Sequence, residues 1–479
     1  MSFDPCVSTR RGFLSRSSFG VGGVALAWML QRDNLLAKNE FIQPERHDLT
    51  PKSTPIRPRA KAMISLFMHG GPSQVDLLDP KPELTKRDGM SYDGSVVFSF
   101  FNRATKRLLG TQWKFKQYGE CGTPVSELLP HTAQIVDDIC VIRSMHTDTN
   151  DHGQSLRRIH TGGSRPDRPA LGAWMTYGLG AESQDLPAYV VLSDPEGHPT
   201  LGVRNWTNGW LPPIYQGTVV RSQEPRILNL EPPPHLRGVL QRQNIDFLQS
   251  LNRDFFERYP AEADLDARIA SYELAARMQT SAKEALDISQ ETEAIHKLYG
   301  LDDPITAEYG TRCLIARRLV ERGVRFVQLF LKGQPFDSHT KMRTRLPQIC
   351  RRTDKPSAAL VRDLKERGLL ETTLVHWGGE FGRLPVSEGA DPKVGGRDHN
   401  GEGFTVWLAG GGVRPGITYG ETCEVGHRAV VNKVSYNDFQ ATLLHIFGLD
   451  HETLSYEYNG QKRRLTVDRP CQVVHDILA

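Results

Sequence analysis

The sequence predicts a mixed α/β protein with a mainly parallel sheet buried on both faces. Three observations lead there. Short apolar runs recur along the chain, and each is followed by a small or polar corner. Helical patterns with one apolar face lie between them, and alternation of this kind builds a parallel sheet covered by helices. Helical patterns that end on glycine also lead straight into the next apolar run, as "SAALVRDLKERGLL" leads into "TTLVHW".

Taken in order, the strand candidates are "AKAMISLFMHGG", "DICVIRSM", "LPAYVVLSD", "GVRFVQLFL", "TTLVHWGGEFG" and "FTVWLAGGGV". All are continuously apolar rather than alternating, which suits strands with no solvent face. After Asp151, "HGQSLRRIHTGG" reads as a short helix closed by glycine. "ADLDARIASYELAARM" puts Leu265, Ile269, Tyr272 and Ala276 on one face. "TRCLIARRLVERG" ends on Gly323, and "SYNDFQATLLHIFGLD" offers Ser435 or Asn437 as its N-cap. The segment from Asp194 to Pro234 is rich in Pro, Gly and Trp with little periodicity. A loop region of that length predicts a functional role such as a lid.

The chain has 479 residues and a formal net charge of +3 without dense basic runs, so no nucleic-acid footprint is present. Near the start, Arg10 and Arg11 precede Phe13-Leu14 and a weakly apolar run from Phe19 to Leu30. This resembles a twin-arginine export signal and is too short for a stable membrane span. The organisation expected is a signal segment over 1–38, a Pro-rich polar linker over 39–60 and one domain over 61–479. Cleavage sites near Ala27 or Ala37 fit the signal, and the destination is periplasmic or extracellular. None of the seven cysteines forms a Cys-x-x-Cys pair, which argues against a thiolate zinc site.

The polar corners carry metal-type ligands. The first strand ends at His69, with Asp76 and Asp79 following. The second leads to Asp151 and His152, the fourth to Asp337 and His339, and the fifth to Glu380 and Arg383. Asp398 and His399 precede the sixth. Strands of an open parallel sheet share one carboxyl edge, so these separated residues are expected to converge. Mixed His and carboxylate donors suit zinc, manganese or iron. There is no Gly-x-Ser-x-Gly elbow and no phosphate-binding Walker loop.

At "HGGPSQVDLLDPKP", "DHGQSLRRIHTG", "FDSHT", "GGEFGRLP", "GGRDHN" and "WLAGGGVRPGITYG", the chain resembles the bacterial family of domain of unknown function 1501, from about Lys61 to the C-terminus. That family is similar to the alkaline phosphatase and sulfatase superfamily. The resemblance implies an alkaline-phosphatase-like three-layer sandwich with a two-metal site at the sheet edge. The ions would be divalent, with zinc, manganese, calcium and iron all open. It also implies hydrolysis of a small anionic sulfate or phosphate ester, or of a sulfated or phosphorylated glycan. The alternative is a non-catalytic relative that binds an anionic glycan or a protein partner.

Carried over residue by residue, the superfamily's nucleophile slot falls on His152, where sulfatases have Cys or Ser. One expected metal cluster is Asp337, His339 and His399, with Asp398 adjacent. A second is His152 and Glu380 with His69 or Asp76. His152 is read as a ligand in preference to a phosphohistidine nucleophile, with metal-activated water attacking the ester. Arg383, Arg157 or Arg158 would bind the anionic oxygens, although Arg157 and Arg158 also fit a solvated helix face.

Overall fold

The computed structural model describes residues 29, 48–99, 104–228, 230–231, 233–258, 263–389, 395–466 and 469–479. The proposed twin-arginine segment, with Arg10 and Arg11, lies outside the described residues. The account below concerns the body formed by His47–Glu257 and Glu262–Ala479.

All six predicted strands form. In chain order the strands that build the site region are β1 (Ala62–Phe67), β2 (Ala104–Leu108), β3 (Ile139–His146), β4 (Tyr189–Ser193), β5 (Thr218–Arg221), β6 (Phe326–Phe330), β7 (Thr373–Gly378), β8 (Gly382–Glu388), β9 (Gly396–Asn400), β10 (Phe404–Ala409), β11 (Ile417–Tyr419) and β12 (Val434–Ser435). The central nine-stranded sheet has the order β11-β3-β10-β7-β1-β6-β4-β5, with β12 also pairing β3. Every pairing is parallel except those of β10, which runs antiparallel to both β3 and β7. Three of these strands, β5, β11 and β12, were not expected. Each has only two to four residues, too few to show a period.

Alternate residues of β1 show why its sequence is apolar throughout. Ile64 and Leu66 belong to one buried cluster, which also contains Cys313, Leu314 and Leu319 of helix Ala307–Glu321 and Leu346, Leu360 and Leu364 of helix Met342–Glu366. Met63 and Phe67 point the other way, into a cluster with Leu156 of helix His152–Thr161, Trp174 of helix Leu171–Leu179 and Leu443 of helix Tyr436–Ile446. Helices therefore cover both faces of the sheet, giving three layers.

Local signals fix the helix ends. Ser435 caps the last of these helices in a reciprocal box with Asp438, which decides between the two cap candidates. Asp151 caps helix His152–Thr161 by accepting from the Gln154 amide at 2.8 Å. That helix stops at Gly162, whose φ of +72° is left-handed; a Cβ there would lie 2.1 Å from the Leu465 carbonyl oxygen, so glycine is required.

The Asp194–Pro234 segment is not structureless. It contains two short 3-10 turns and β5, and it flanks the helix that begins at His152: Leu201 approaches the position where Gly153 would carry a Cβ, and Pro199 pairs with Gly333. Among the described residues no helix is long and apolar enough to cross a membrane.

Candidate metal centre

The carboxyl ends of β1, β3, β6 and β7 meet at one edge, as the parallel order requires. A small second sheet, β9-β8-β2, supplies the remaining wall. In it β8 and β9 run antiparallel with Arg383 opposite His399. The loops interlock through backbone. Phe336 N–H donates to the His69 carbonyl, and Gly70 sits at φ +102°, where a Cβ would lie 2.4 Å from the Asp337 nitrogen. A side chain at position 70 would therefore displace Asp337.

Four of the predicted residues come together here. His152, Asp337, His339 and His399 offer donor atoms that all lie within 4.8 Å of one another. Asp337 Oδ1 is 3.0 Å from His339 Nε2, 3.3 Å from His399 Nε2 and 3.5 Å from His152 Nε2. The His339 and His399 Nε2 atoms are 2.9 Å apart. A tetrahedral ion with bonds of about 2.0–2.1 Å has donor-to-donor edges of about 3.4 Å, with which these four spacings are compatible.

Each imidazole is also held from behind. His152 Nδ1 donates to Glu380 Oε1 at 2.7 Å, His339 Nδ1 to Glu388 Oε2 at 2.5 Å and His399 Nδ1 to the Asn150 carbonyl at 2.7 Å. All three partners are acceptors, so each Nδ1 carries a hydrogen and each Nε2 faces the cluster, offering a lone pair when the ring is neutral. Metal-binding histidines are oriented in this way. His152 Nε2 is buried with no hydrogen-bond partner, and the Nε2 atoms of His339 and His399 face each other. A cation between them, or a proton on one Nε2 donated to the other, satisfies that arrangement.

The electrostatics express the same demand. Burial opposes charge on Asp337, but the His152, His339 and His399 rings around it and the Arg383 guanidinium hold its carboxyl well below the usual range. Burial disfavours a charged His339, but Asp337 and Glu388 outweigh it and push its pKa up to about 9. For His399 burial dominates, and its pKa falls. Asp337 and His339 side chains are 22% and 29% exposed, so the cluster opens to solvent on their side.

The other predicted residues do not join this group. Glu380 is fully buried, accepts from the Gly70 amide at 3.0 Å and faces His152 Nδ1, so it braces a ligand-type residue from behind. Asp76 forms a buried two-point pair with Arg397, at 2.7 and 3.2 Å, and accepts from Ser73. Its charge is already matched.

His69 lies wholly buried beside the Phe67 and Phe330 rings with both ring nitrogens unpaired, and burial lowers its pKa to about 4. Asp398 is occupied by Ser99 and by the His399 amide. It forms a second possible group with His339 and Glu388, but that group shares His339 and meets it at Nδ1.

The two expected clusters are thus one, with His152 inside it. Arg383 is fully buried and spends its donors on the Gly70, Gly71 and Arg397 carbonyls and on Asp337 at 2.7 Å. It clamps the site and is not free to grip an anion. Arg158 pairs with Asp148, on the helix flank.

Sequence reasoning missed Glu388, which lies at the end of β8, within the small sheet, and follows none of the six apolar runs. It also missed the Asn150 carbonyl, which no side-chain pattern reveals.

The chain is thus a three-layer α/β body with a cluster of three histidines and one aspartate at the strand ends that could hold a metal ion. The chain belongs to the family described as "Protein of unknown function (DUF1501)", matched over residues 60–478. No curated protein matches it.

Similar solved structures include the lipoteichoic acid synthase LtaP from Listeria monocytogenes, at 7% identity and a TM-score of 0.34 over 88% of this chain and 78% of that one. The phosphonate monoester hydrolase SpPMH from Silicibacter pomeroyi is similar at 12% identity and 0.31, over 67% and 68%. The PsFucS1 sulfatase from Pseudoalteromonas sp. is similar at 13% and 0.33, over 68% and 63%.

Proposed function

We propose that the protein is an exported metal-dependent hydrolase of phosphate or sulfate esters, acting on a small anionic ester or on a phosphorylated or sulfated glycan. One observation carries the reading: three imidazole nitrogens and one carboxylate oxygen lie within 4.8 Å of one another beside an opening. Three nitrogen donors favour zinc, manganese or iron over calcium, which takes oxygen ligands. One ion accounts for the geometry, because Glu388 and Asp398 are engaged with His339 Nδ1, Ser99 and the His399 amide. When bound, such an ion polarises an ester oxygen and lowers the pKa of water.

His152, His339, His399 and Asp337 hold the ion, and Glu380 and Glu388 fix the tautomers. Arg383 positions Asp337. The helix that starts at His152 presents its positive end at the cluster, where an anionic ester is favoured. The same contacts support His152 as a ligand in preference to a nucleophile, since Glu380 holds its Nδ1 and leaves its Nε2 toward the other donors.

The test is metal analysis of the purified protein followed by a screen of phosphate and sulfate esters with and without chelator. We expect one tightly held divalent ion and chelator-sensitive turnover. Protein that binds no divalent metal would sink the reading. Bound metal with no turnover on either ester class would assign the site to a non-catalytic receptor for anionic glycans.

Export rests on Arg10-Arg11 before the short apolar run. Changing both arginines to lysine should strand the protein in the cytoplasm, and undiminished export of that variant would remove the twin-arginine assignment.

A further inference from the structure

A small cavity of about 20 Å³ lies between the central sheet and the helices that cover it. β1, β6, β7 and the helix His152–Thr161 all contribute to its wall. Much of that wall is apolar, and a purely apolar cavity stays dry. Three residues break the pattern. Asn205, His160 and His376 are 1%, 5% and 3% exposed, and each carries a buried polar atom that no protein group meets: Asn205 Oδ1, His160 Nε2 and His376 Nε2. Native cores rarely leave such atoms unmatched.

The role of each atom follows from what its neighbours in the same side chain do. Tyr189 donates its hydroxyl to Gln328 Oε1 at 2.7 Å, so the Gln328 amide nitrogen donates to His160 Nδ1, 3.3 Å away. Burial lowers the His160 pKa well below its usual value, so the ring is neutral. Its single ring hydrogen therefore sits on Nε2, and that atom is a donor. Asn205 gives its amide hydrogens to the Thr200 and Gly202 carbonyls, at 2.7 and 3.1 Å, and its Oδ1 is purely an acceptor. His376 is also kept neutral by burial, and its Nδ1 meets Ser65 Oγ at 3.1 Å. Its Nε2 donates or accepts according to how the serine hydroxyl turns.

We infer that this cavity is a binding site for one water molecule, shared by Asn205, His160 and His376. Water accepts from His160, donates to Asn205 and meets His376 in either sense. A cation cannot accept from His160, and an anion cannot donate to Asn205. Among the described residues no carboxylate lines the cavity to offset an ion's charge. About 10–15 Å³ is enough to hold one water, and about three hydrogen bonds are usual for a buried one.

The three partners belong to elements around the metal centre. His160 stands about two turns beyond His152 on one helix, and His376 lies on β7, which leads to Glu380. Asn205 belongs to the 3-10 turn Gly202–Trp206 of the Pro-rich segment. Leu201, just before that turn, approaches Gly153 of the same helix. The water therefore tethers the turn to the helix that carries His152.

The experiment is a high-resolution crystal structure of the full chain, joined to water relaxation dispersion, which counts long-lived internal waters. One density peak without anomalous signal should lie within about 3.2 Å of all three atoms. His160→Phe removes the donor and adds volume, so this variant should hold one long-lived water fewer than the parent. Its Gly202 and Arg204 amides should exchange with solvent about tenfold faster, for one hydrogen bond lost. The site is overturned by the lack of a peak in the parent, by a peak that reaches fewer than three of the atoms, or by one with the anomalous signal of a metal. An unchanged water count in His160→Phe overturns it too, and unchanged amide exchange in that variant overturns the tether.

Discussion

Replacing Asp337 with Asn should abolish metal retention. Asp337 is the one anionic donor among the four and the point on which the three Nε2 atoms converge. Asparagine keeps its volume and removes its charge, so the ion would lose the one anionic group among its four donors. We expect affinity to fall at least 100-fold, with hydrolysis lost in parallel. Arg383 is fully buried against this carboxylate, so the variant also leaves a guanidinium without its counter-charge. That should lower stability by about 3 kcal/mol.

Glu388→Gln separates the two effects. It leaves all four donors in place and alters only the group behind His339 Nδ1, so affinity should fall about 10–100-fold with stability nearly unchanged. Metal titration and denaturant unfolding of both variants provide the check. If Asp337→Asn binds metal as tightly as the parent, the four-donor centre is wrong.

How far the sequence foretold this centre depends on what each residue needed as a neighbour. Strands announced themselves as continuous apolar runs, because a strand covered on both faces has no polar side to hide. His152, Asp337, His339 and His399 were legible as a set because each follows a strand or borders one, and a parallel sheet delivers its strand ends to one edge.

The supporting carboxylates were not separable from the ligands. Asp76 and Glu380 sit in equally polar corners, and what distinguishes them is who stands opposite: Arg397 for the first and His152 Nδ1 for the second. Both partners are hundreds of positions away in sequence. Arg383 likewise read as an anion-binding group until the backbone carbonyls of Gly70, Gly71 and Arg397 were seen to absorb its donors.

The metal-free protein should be most stable near pH 6.5 and should lose stability in both directions. Below that pH the cause is three buried histidines. His69 is held down to about 4 and His376 to about 3, in both cases by burial, and burial also lowers His160 well below its usual value. Each keeps an unpaired ring nitrogen in the core, beyond the contacts that His376 makes to Ser65 and His160 to Gln328.

These histidines remain neutral when folded but take up protons near pH 6.5 when unfolded. The unfolded chain therefore binds more protons, and stability falls as pH drops from 6.5 towards 4. The slope is about 1.4 kcal/mol per pH unit for each histidine, or about 4 kcal/mol per unit for all three.

His339 works with the opposite sign. Its folded pKa is raised to about 9, so its contribution is complete below 6.5 and is lost as pH rises through 9. Denaturant unfolding in chelator across this range should give a peaked profile, with at least about three protons taken up per molecule unfolded near pH 5, since burial also lowers His399. His376→Asn should remove one of those protons and flatten the acid limb by a third. An acid limb unchanged in that variant would mean that His376 already shares its proton with a partner in the core.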